Sequence, residues 1–261
     1  MHVLADDLGH LSYTVAGDGP PVVLVHAGVA DHRMWDAVAP ALAERHTVIT
    51  YDLRGFGQSG PPSGAFSETD DLRRLLDHIG HERVRLVGAS WGGRVAVDFT
   101  LTHPGRVHSL ALFAPPWPGY DWSAEMVAYD AAETEALAAG ELDAAVRINL
   151  DMWLRGPARG WDEVAPGLVE AVRGPLRTSL VNQPALEAHG QDGADGDVAT
   201  IAVPTLVGIG GLDVADFQDI GRRYAARIPG ATLVEFASAG HLIPLEAPTE
   251  LLAELGPFLA R

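Results

Sequence analysis

The chain has 261 residues, 47% of them hydrophobic and 20% charged, which is the ordinary composition of a globular protein and enough chain to bury a large core. Its formal net charge of −17 argues against nucleic acid or an anionic membrane as a partner, because both require a basic surface. All 18 basic residues are arginine and cysteine is absent, which excludes lysine Schiff bases, thiol nucleophiles, disulfides and thiolate metal ligands.

Short apolar runs predict strands along the chain, and most of the gaps between them have room for one helix. The predicted strands cover residues 8–15, 22–25, 47–51, 84–87, 107–113, 203–209 and 232–236. The predicted helices cover residues 31–43, 67–78, 93–99, 216–227 and 249–259, with Asp31 capping the first and Ser67 or Thr69 the second. Strands that alternate with helices at this spacing imply β–α–β crossovers and a mostly parallel sheet.

This rhythm stops between residues 114 and 200, a stretch rich in Ala, Glu and Asp that is predicted to be helical and to end in a loop over 190–196. It holds four of the six tryptophans: Trp117, Trp122, Trp153 and Trp161. Two interpretations stay open, since large side chains can build the core of a small insert or line an apolar pocket beneath a lid. We predict a core over 1–113 and 201–261 and a helical cap or lid over 114–200.

The segment Gly88-Ala89-Ser90-Trp91-Gly92 lies between a predicted strand and a predicted helix. That is the context of a G-x-S-x-G nucleophile elbow, in which a strained turn raises the serine hydroxyl above the sheet edge. The backbone N–H of Trp91, at the helix start, is then free to donate to a developing oxyanion. A Gly- and Ser-rich turn without chemistry is the alternative for this segment taken alone.

A serine hydroxyl is a weak nucleophile at neutral pH, so it needs a histidine to take its proton and a carboxylate to orient that histidine. Asp213 follows one predicted strand and His241 follows the next, which puts both at the carboxyl edge of the sheet with Ser90. Asp216 competes for the acid role, but it opens a predicted helix and is better explained as an N-cap. We therefore predict a catalytic triad of Ser90, Asp213 and His241.

An oxyanion needs a second donor besides Trp91, and the loop after the strand at 22–25 is expected to supply it. Gly28 is the better candidate there, because a bare backbone can turn its N–H into the site. The predicted substrate pocket contains His26, Leu242 and the four tryptophans of the insert. The histidines lack the H-E-x-x-H spacing, and no G-x-G-x-x-G follows a strand and opens a helix, so no metal and no cofactor are expected.

Outside the insert, these segments resemble the α/β-hydrolase superfamily. The likeness is carried by His26-Ala27-Gly28, Tyr51-Asp52-Leu53-Arg54-Gly55-Phe56-Gly57-Gln58-Ser59, Gly88-Ala89-Ser90-Trp91-Gly92-Gly93, Asp213 and Ala239-Gly240-His241. The chain is most similar to the small bacterial serine esterases and enol-lactonases. This resemblance implies an α/β-hydrolase fold: an eight-stranded, mostly parallel sheet flanked by helices, with a helical cap inserted after the sixth strand.

Departures from the motifs of related groups narrow the expected reaction. Ser90 excludes the aspartate nucleophile of epoxide hydrolases and haloalkane dehalogenases, and Leu242 stands where carbon–carbon hydrolases of the meta-cleavage type carry tryptophan. The resemblance therefore implies hydrolysis of a carboxylic ester or lactone through an acyl-enzyme. Carbon–carbon bond hydrolysis or acyl transfer on the same triad stay open as alternatives, as does a ligand-binding protein with little turnover.

Three expectations concern the surroundings of the protein. No apolar run is as long as a membrane span, and the N-terminal residues lack the basic start and apolar core of a signal peptide, so a cytoplasmic location is expected. The expected partner is a small apolar or aromatic ester or lactone. The oligomeric state is left open, with a homodimer as one alternative.

Overall fold

The computed structural model describes residues 1–191, 193–194 and 196–261, so Asp192 and Asp195 of the predicted loop over 190–196 lie outside the described residues. The strands are β1 (His2–Asp6), β2 (Gly9–Ala16), β3 (Pro21–Val25), β4 (Thr47–Tyr51), β5 (Val84–Ala89), β6 (Val107–Phe113), β7 (Thr205–Gly210) and β8 (Thr232–Phe236). They form an eight-stranded sheet in the order β1-β2-β4-β3-β5-β6-β7-β8. This confirms the expected α/β-hydrolase sheet.

Only the first strands of the sheet run antiparallel to a neighbour. β2 pairs antiparallel with both β1 and β4, and the remaining neighbours are parallel. The central strand β3 is apolar throughout, with Val22, Val23, Leu24 and Val25 each 0% exposed, because helices cover both faces of a parallel sheet. β1 was not predicted, since it is a half-exposed edge strand whose short sequence carries no clear apolar alternation.

The helices fall mostly where the apolar pattern predicts them. They are α1 (Ala39–Ala43), α2 (Glu68–Ile79), α3 (Trp91–Thr102), α4 (Ala124–Ala138), α5 (Leu142–Asn149), α6 (Pro166–His189), α7 (Ala215–Arg227), α8 (Ile243–Glu246) and α9 (Pro248–Leu259). Short 3₁₀ segments cover His32–Trp35, Pro104–Arg106, Trp161–Glu163 and Val198–Thr200. Within the residues that the structure describes, no helix has both the length and the apolar character needed to cross a bilayer.

The continuous helix predicted over 31–43 is wrong. Asp31 does cap a helical segment, since its Oδ1 accepts the N–H of Arg33, but that segment is the 3₁₀ turn His32–Trp35. The chain then turns and begins again at α1, which has a proline in its first turn. Pro40 has no N–H and its ring clashes with the preceding turn of a helix, so it is tolerated at a helix start and not in the interior.

The strand order reverses at β3, and this positions the candidate site. From β3 the chain passes to β4 on one side and returns to β5 on the other. The loops that leave the carboxyl ends of β3 and β5 therefore separate and open a crevice, which is where open α/β sheets bind their ligands. The loop beginning at His26 and the turn at Ser90 meet at this crevice.

Between β6 and β7 the chain forms α4, α5 and α6, together with a π-helical turn at Leu150–Arg155 that follows α5 directly. Apolar side chains of these elements, among them Val146, Leu154 and Leu176, belong to the same hydrophobic cluster as residues of β3 and β5. The helices that interrupt the β–α pattern thus pack onto the sheet-bearing part of the chain. The division into a core (1–113 and 201–261) and a cap (114–200) stays a prediction.

Candidate active site

Ser90 lies on a sharp turn between β5 and α3, with φ +49° and ψ −120°. A non-glycine residue at positive φ costs about 1–3 kcal/mol, so surrounding structure must hold it there. The N–H of Ser90 donates to the carbonyl of Phe113 at 2.7 Å. A Cβ on Gly88 would lie 2.2 Å from the carbonyl oxygen of Gly92, and one on Gly92 would lie 2.4 Å from the carbonyl oxygen of His26. Both glycines are therefore required for the close approach of β3, β5 and α3.

The imidazole of His241 connects Ser90 to Asp213. Its Nδ1 lies 2.9 Å from Oδ2 of Asp213, and its Nε2 lies 2.8 Å from Oγ of Ser90. Because an ionised carboxylate can only accept, Nδ1 carries the proton and Nε2 accepts from the serine hydroxyl. Asp213 is 5% exposed and His241 is 4% exposed, so the bond between these two side chains is shielded from water. The N–H of Val214 also donates to the carboxylate of Asp213 at 2.7 Å and fixes its orientation.

The competing carboxylate, Asp216, lies elsewhere. Its Oδ1 accepts the N–H of Ser123 at 2.8 Å, which ties the chain before α4 to α7. The N-cap of α7 is Val214, so the predicted N-cap role of Asp216 is wrong by two positions. Asp216 instead occupies the first turn of the helix, where the helix dipole favours a negative charge.

Gly28 and Trp91, the two predicted oxyanion donors, face each other beside Ser90. A Cβ on Gly28 would lie 3.4 Å from Cβ of Trp91, and both residues line the same cavity as Ser90. Among the described residues, no backbone carbonyl accepts the N–H of either. Both N–H groups are thus available to a bound oxygen atom.

A cavity of about 620 Å³ opens at Ser90, between the sheet-edge loops and the helices α4, α5 and α6. Aromatic side chains supply much of its wall: Phe56, Phe66, Trp91, Trp122, Tyr129, Trp153 and Phe217. The carboxylates along it are Glu68, Asp130, Glu133 and Glu187, and no arginine occurs among the described lining residues. The cavity is therefore largely apolar and aromatic, and its described carboxyl groups have no arginine among them.

The four tryptophans of the insert divide evenly. Trp122 and Trp153 line the cavity. Trp117 does not, because it packs on Tyr224 with ring centroids 4.6 Å apart. Trp161 does not either, since it is 42% exposed and its indole N–H donates to Asp151 on the surface. The pocket prediction is wrong for these two, because composition does not tell which way a side chain points in an irregular helical segment.

The pocket prediction is also wrong for His26 and Leu242. His26 is fully buried, its Nε2 accepts the N–H of Leu53 at 3.0 Å, and its Nδ1 donates to the carbonyl of Ala27 at 2.8 Å. Burial lowers the pKa of His26, so the ring is neutral and ties the loop after β3 to the loop after β4. Leu242 is 0% exposed and belongs to the hydrophobic core.

Glu68 is a cavity residue that sequence reasoning missed. It lies in the first turn of α2, where a carboxylate is explained by the helix dipole, and nothing in the sequence connects it with Ser90. Its Oε1 accepts the indole N–H of Trp91 at 2.6 Å. Removal from water raises the pKa of Glu68 to about 7, and the nearby charges of Asp98 and Asp71 act in the same direction.

Among the described residues, one group of side chains has the geometry to hold a metal ion: Asp31, His32 and Asp52, whose ligand atoms lie within 4.8 Å of one another. Protein groups already use these atoms. Asp52 accepts the backbone N–H and the Nδ1–H of His32 and the N–H of Gln58, each at 2.8 Å. The hydrogen bond to Asp52 raises the pKa of His32. This group therefore joins the loops after β3 and β4 through hydrogen bonds.

The chain is similar to known proteins over most of its length. A family model described as the alpha/beta hydrolase fold matches residues 20–248. Among solved structures, the enol-lactonase from Burkholderia xenovorans LB400 is similar over 100% of both chains, with a TM-score of 0.82 and 25% identity. A thermophilic esterase from Thermogutta terrifontis has a TM-score of 0.78 and 27% identity over 97% of this chain and 93% of its own.

The match to a curated relative is shorter. The soluble epoxide hydrolase of Corynebacterium sp. is 40% identical over 103 residues, which is 38% of this chain. That match spans 36% of the relative's own length, so it covers only about a third of each protein.

Proposed function

Because this chain belongs to the α/β-hydrolase family, we propose that it is a serine hydrolase that cleaves carboxylic esters or lactones through an acyl-enzyme. The observation that carries the proposal is the pair of hydrogen bonds that His241 makes to Asp213 and to Ser90. An enol-lactonase and an esterase are among the similar structures, and both names agree with this reaction class.

The proposed reaction begins when Oγ of Ser90 attacks the carbonyl carbon and Nε2 of His241 takes the hydroxyl proton. Asp213 holds the Nδ1–H tautomer and stabilises the positive charge that His241 gains. The backbone N–H groups of Gly28 and Trp91 hold the oxyanion of the tetrahedral intermediate. His241 then gives its proton to the leaving alkoxide, and the acyl group stays on Ser90.

Deacylation repeats these steps with water as the nucleophile. His241 removes a proton from the water, the second tetrahedral intermediate collapses, and the proton returns to Oγ of Ser90 as the acid departs. Every proton in this cycle passes through His241. The substrate proposed for the cavity is an ester or lactone with an apolar or aromatic group, held by the aromatic walls.

A cap role for residues 114–200 is part of the proposal. This stretch supplies Trp122, Tyr129, Trp153 and Leu180 to the wall of the cavity that Ser90 also lines. Such a wall excludes water during acylation and sets which acyl and alcohol groups enter.

The test uses a chromogenic ester, a fluorophosphonate label and two serine variants. The wild type should show burst kinetics and label at one site. Ser90→Ala should lose the label and lower kcat by about 10⁴-fold or more, whereas Ser63→Ala, at an exposed serine, should match the wild type. Labelling without release of acid would favour acyl transfer or a binding protein. Undiminished labelling and turnover in Ser90→Ala would overturn the proposal.

A further inference from the structure

We infer that Trp153 is a positioning residue for His241, and that a chain of hydrogen bonds through Tyr129 and Asn149 sets the plane of its indole. The inference rests on the proposed function, in which His241 is the general base. Trp153, which lies between β6 and β7, would then affect the rate of proton transfer as well as form part of the cavity wall.

Two aromatic rings contact the imidazole of His241. The ring centroid of Trp153 lies 4.5 Å from that of His241 at an interplanar angle of 42°, and Phe217 lies at 4.5 Å and 77°. Trp153 and Phe217 also contact each other edge to face at 5.4 Å. The bond from Nδ1 to Asp213 fixes one end of the imidazole but leaves it free to tilt about that bond. The two rings block this tilt and keep Nε2 aimed at Ser90.

The indole of Trp153 is itself fixed by a directed hydrogen-bond chain. Its Nε1–H donates to the hydroxyl of Tyr129 at 2.8 Å, and that hydroxyl lies 2.8 Å from Oδ1 of Asn149. Asn149 donates its two Nδ2 protons to the carbonyl of Ala145 at 3.0 Å and to the carboxylate of Glu133. With both amide protons used, Oδ1 must face Tyr129. Tyr129 therefore donates to Asn149 and accepts from Trp153.

Two further observations agree with this direction of the chain. Burial raises the pKa of the Tyr129 phenol, so the hydroxyl stays protonated and remains a donor. Glu133 accepts from Asn149, and it is also a second acceptor for the hydroxyl of Tyr129, at 3.3 Å compared with 2.8 Å to Oδ1 of Asn149. The shorter distance favours Asn149 as the acceptor of the phenol proton, and with either acceptor the oxygen of Tyr129 can accept the indole N–H of Trp153.

Trp153 lies in the π-helical turn Leu150–Arg155. A π-helical turn is wider than an α-helical turn and rotates the following side chains relative to the α register. Leu150 and Leu154 of this turn remain buried in the hydrophobic core, 2% and 0% exposed. The turn therefore keeps Leu150 and Leu154 in the core while the side chain of Trp153 contacts His241. Such turns are rare and are found often at functional sites.

The contact also matters for the charge that His241 gains. As Oγ of Ser90 bonds to the carbonyl carbon, its proton passes to Nε2 and the imidazole becomes a cation. An aromatic face next to a cation is attractive, and most so for tryptophan in a site closed to water. Trp153 is therefore better matched to the protonated ring of the intermediate than to the neutral ring of the resting enzyme.

The test compares four variants by kcat, KM, melting temperature and rate of labelling by a small fluorophosphonate. Trp153→Leu removes the ring and should lower both kcat and the labelling rate by about 10- to 100-fold, with KM changed far less. Trp153→Phe keeps a ring and should restore most of the rate. Tyr129→Phe leaves the indole without its acceptor and should give an intermediate loss. Trp161→Leu, at an exposed tryptophan outside the cavity, is the matched control and should match the wild type.

The outcomes separate this inference from the proposed function. If the wild type is not labelled at all, the proposed function is wrong, and this result does not depend on the variants. If the wild type is labelled and Trp153→Leu is labelled equally fast while its KM rises, Trp153 is only cavity wall and the inference is overturned. If Trp153→Leu melts far below the wild type, Tyr129→Phe decides, and a labelling rate in Tyr129→Phe equal to that of the wild type overturns the hydrogen-bond chain.

Discussion

The indole N–H of Trp91 donates a hydrogen bond of 2.6 Å to Oε1 of Glu68. Trp91 directly follows Ser90, so a residue whose backbone N–H is proposed to hold the oxyanion has its side chain fixed by a carboxyl group of α2. Both residues line the cavity, and the carboxyl group is held in surroundings that disfavour its charge. The protonation of Glu68 is thereby connected to the geometry next to the proposed nucleophile.

Glu68 should make stability depend on pH. Its pKa is raised from 4.5 to about 7, so between these pH values the folded protein keeps a proton that the unfolded chain releases. The stabilisation is complete below pH 4.5 and is lost as the pH rises through 7. The free energy of unfolding of the wild type should therefore fall by about 1–3 kcal/mol more than that of Glu68→Gln over this window.

Urea unfolding at pH 5 and pH 8 measures this difference. Glu170→Gln, at an exposed glutamate of α6, is the control and should follow the wild type. If Glu68→Gln and the wild type lose the same stability between the two pH values, Glu68 is ionised as an ordinary surface glutamate and the expectation is wrong.

Asp213→Asn should lower kcat by about 10⁴-fold, because asparagine no longer holds the Nδ1–H tautomer of His241. Asp216→Asn should stay within a few fold of the wild type, since the amide oxygen can still accept the N–H of Ser123. Steady-state kinetics on one chromogenic ester measure both. Similar losses in the two variants would mean that the carboxylate which orients His241 in solution is not Asp213.

Trp122→Ala should change substrate preference. Trp122 lines the cavity, so its removal should shift kcat/KM between small and bulky esters by about 1–3 kcal/mol of discrimination. Trp117→Ala should instead lower the free energy of unfolding by about 3 kcal/mol and leave the preference unchanged, because Trp117 packs on Tyr224 outside the cavity. A short ester series and melting curves distinguish the two. An altered preference in Trp117→Ala would contradict the placement described above.

The charge of the substrate should matter as much as its size. The described charged residues along the cavity are carboxylates, so an ester with a trimethylammonium terminus should be preferred to one with a carboxylate terminus. We expect kcat/KM for the two esters to differ by about tenfold or more at low salt. An uncharged ester of the same shape, with a tert-butyl terminus, should have a kcat/KM between these two values. The difference should shrink as ionic strength rises, since salt screens charges near the cavity mouth. A preference for the anionic ester would contradict the expectation.

Much of the fold and the central part of the site could be predicted because their constraints are local. Buried parallel strands must be apolar on both faces, as β3 is, and a close turn between strand and helix must have glycines, as Gly88 and Gly92 show. Predictions failed where a constraint came from elsewhere in the chain. β1, for example, is defined by its pairing with β2. The helix predicted over 31–43 failed for a local reason, since Pro40 begins a new helix within that span.

The sequence by itself determined the order of most strands and helices and the positions of Ser90, Asp213 and His241 after the ends of three strands, since these follow from apolar period and motif. Only the tertiary structure decided which side chains surround them. Trp122 and Trp153 face the cavity while Trp117 and Trp161 do not, and Glu68 joins it from a helix that precedes β5. The physical reason is that a strand end fixes where the backbone emerges, whereas a side chain's direction depends on how separate helices pack against each other.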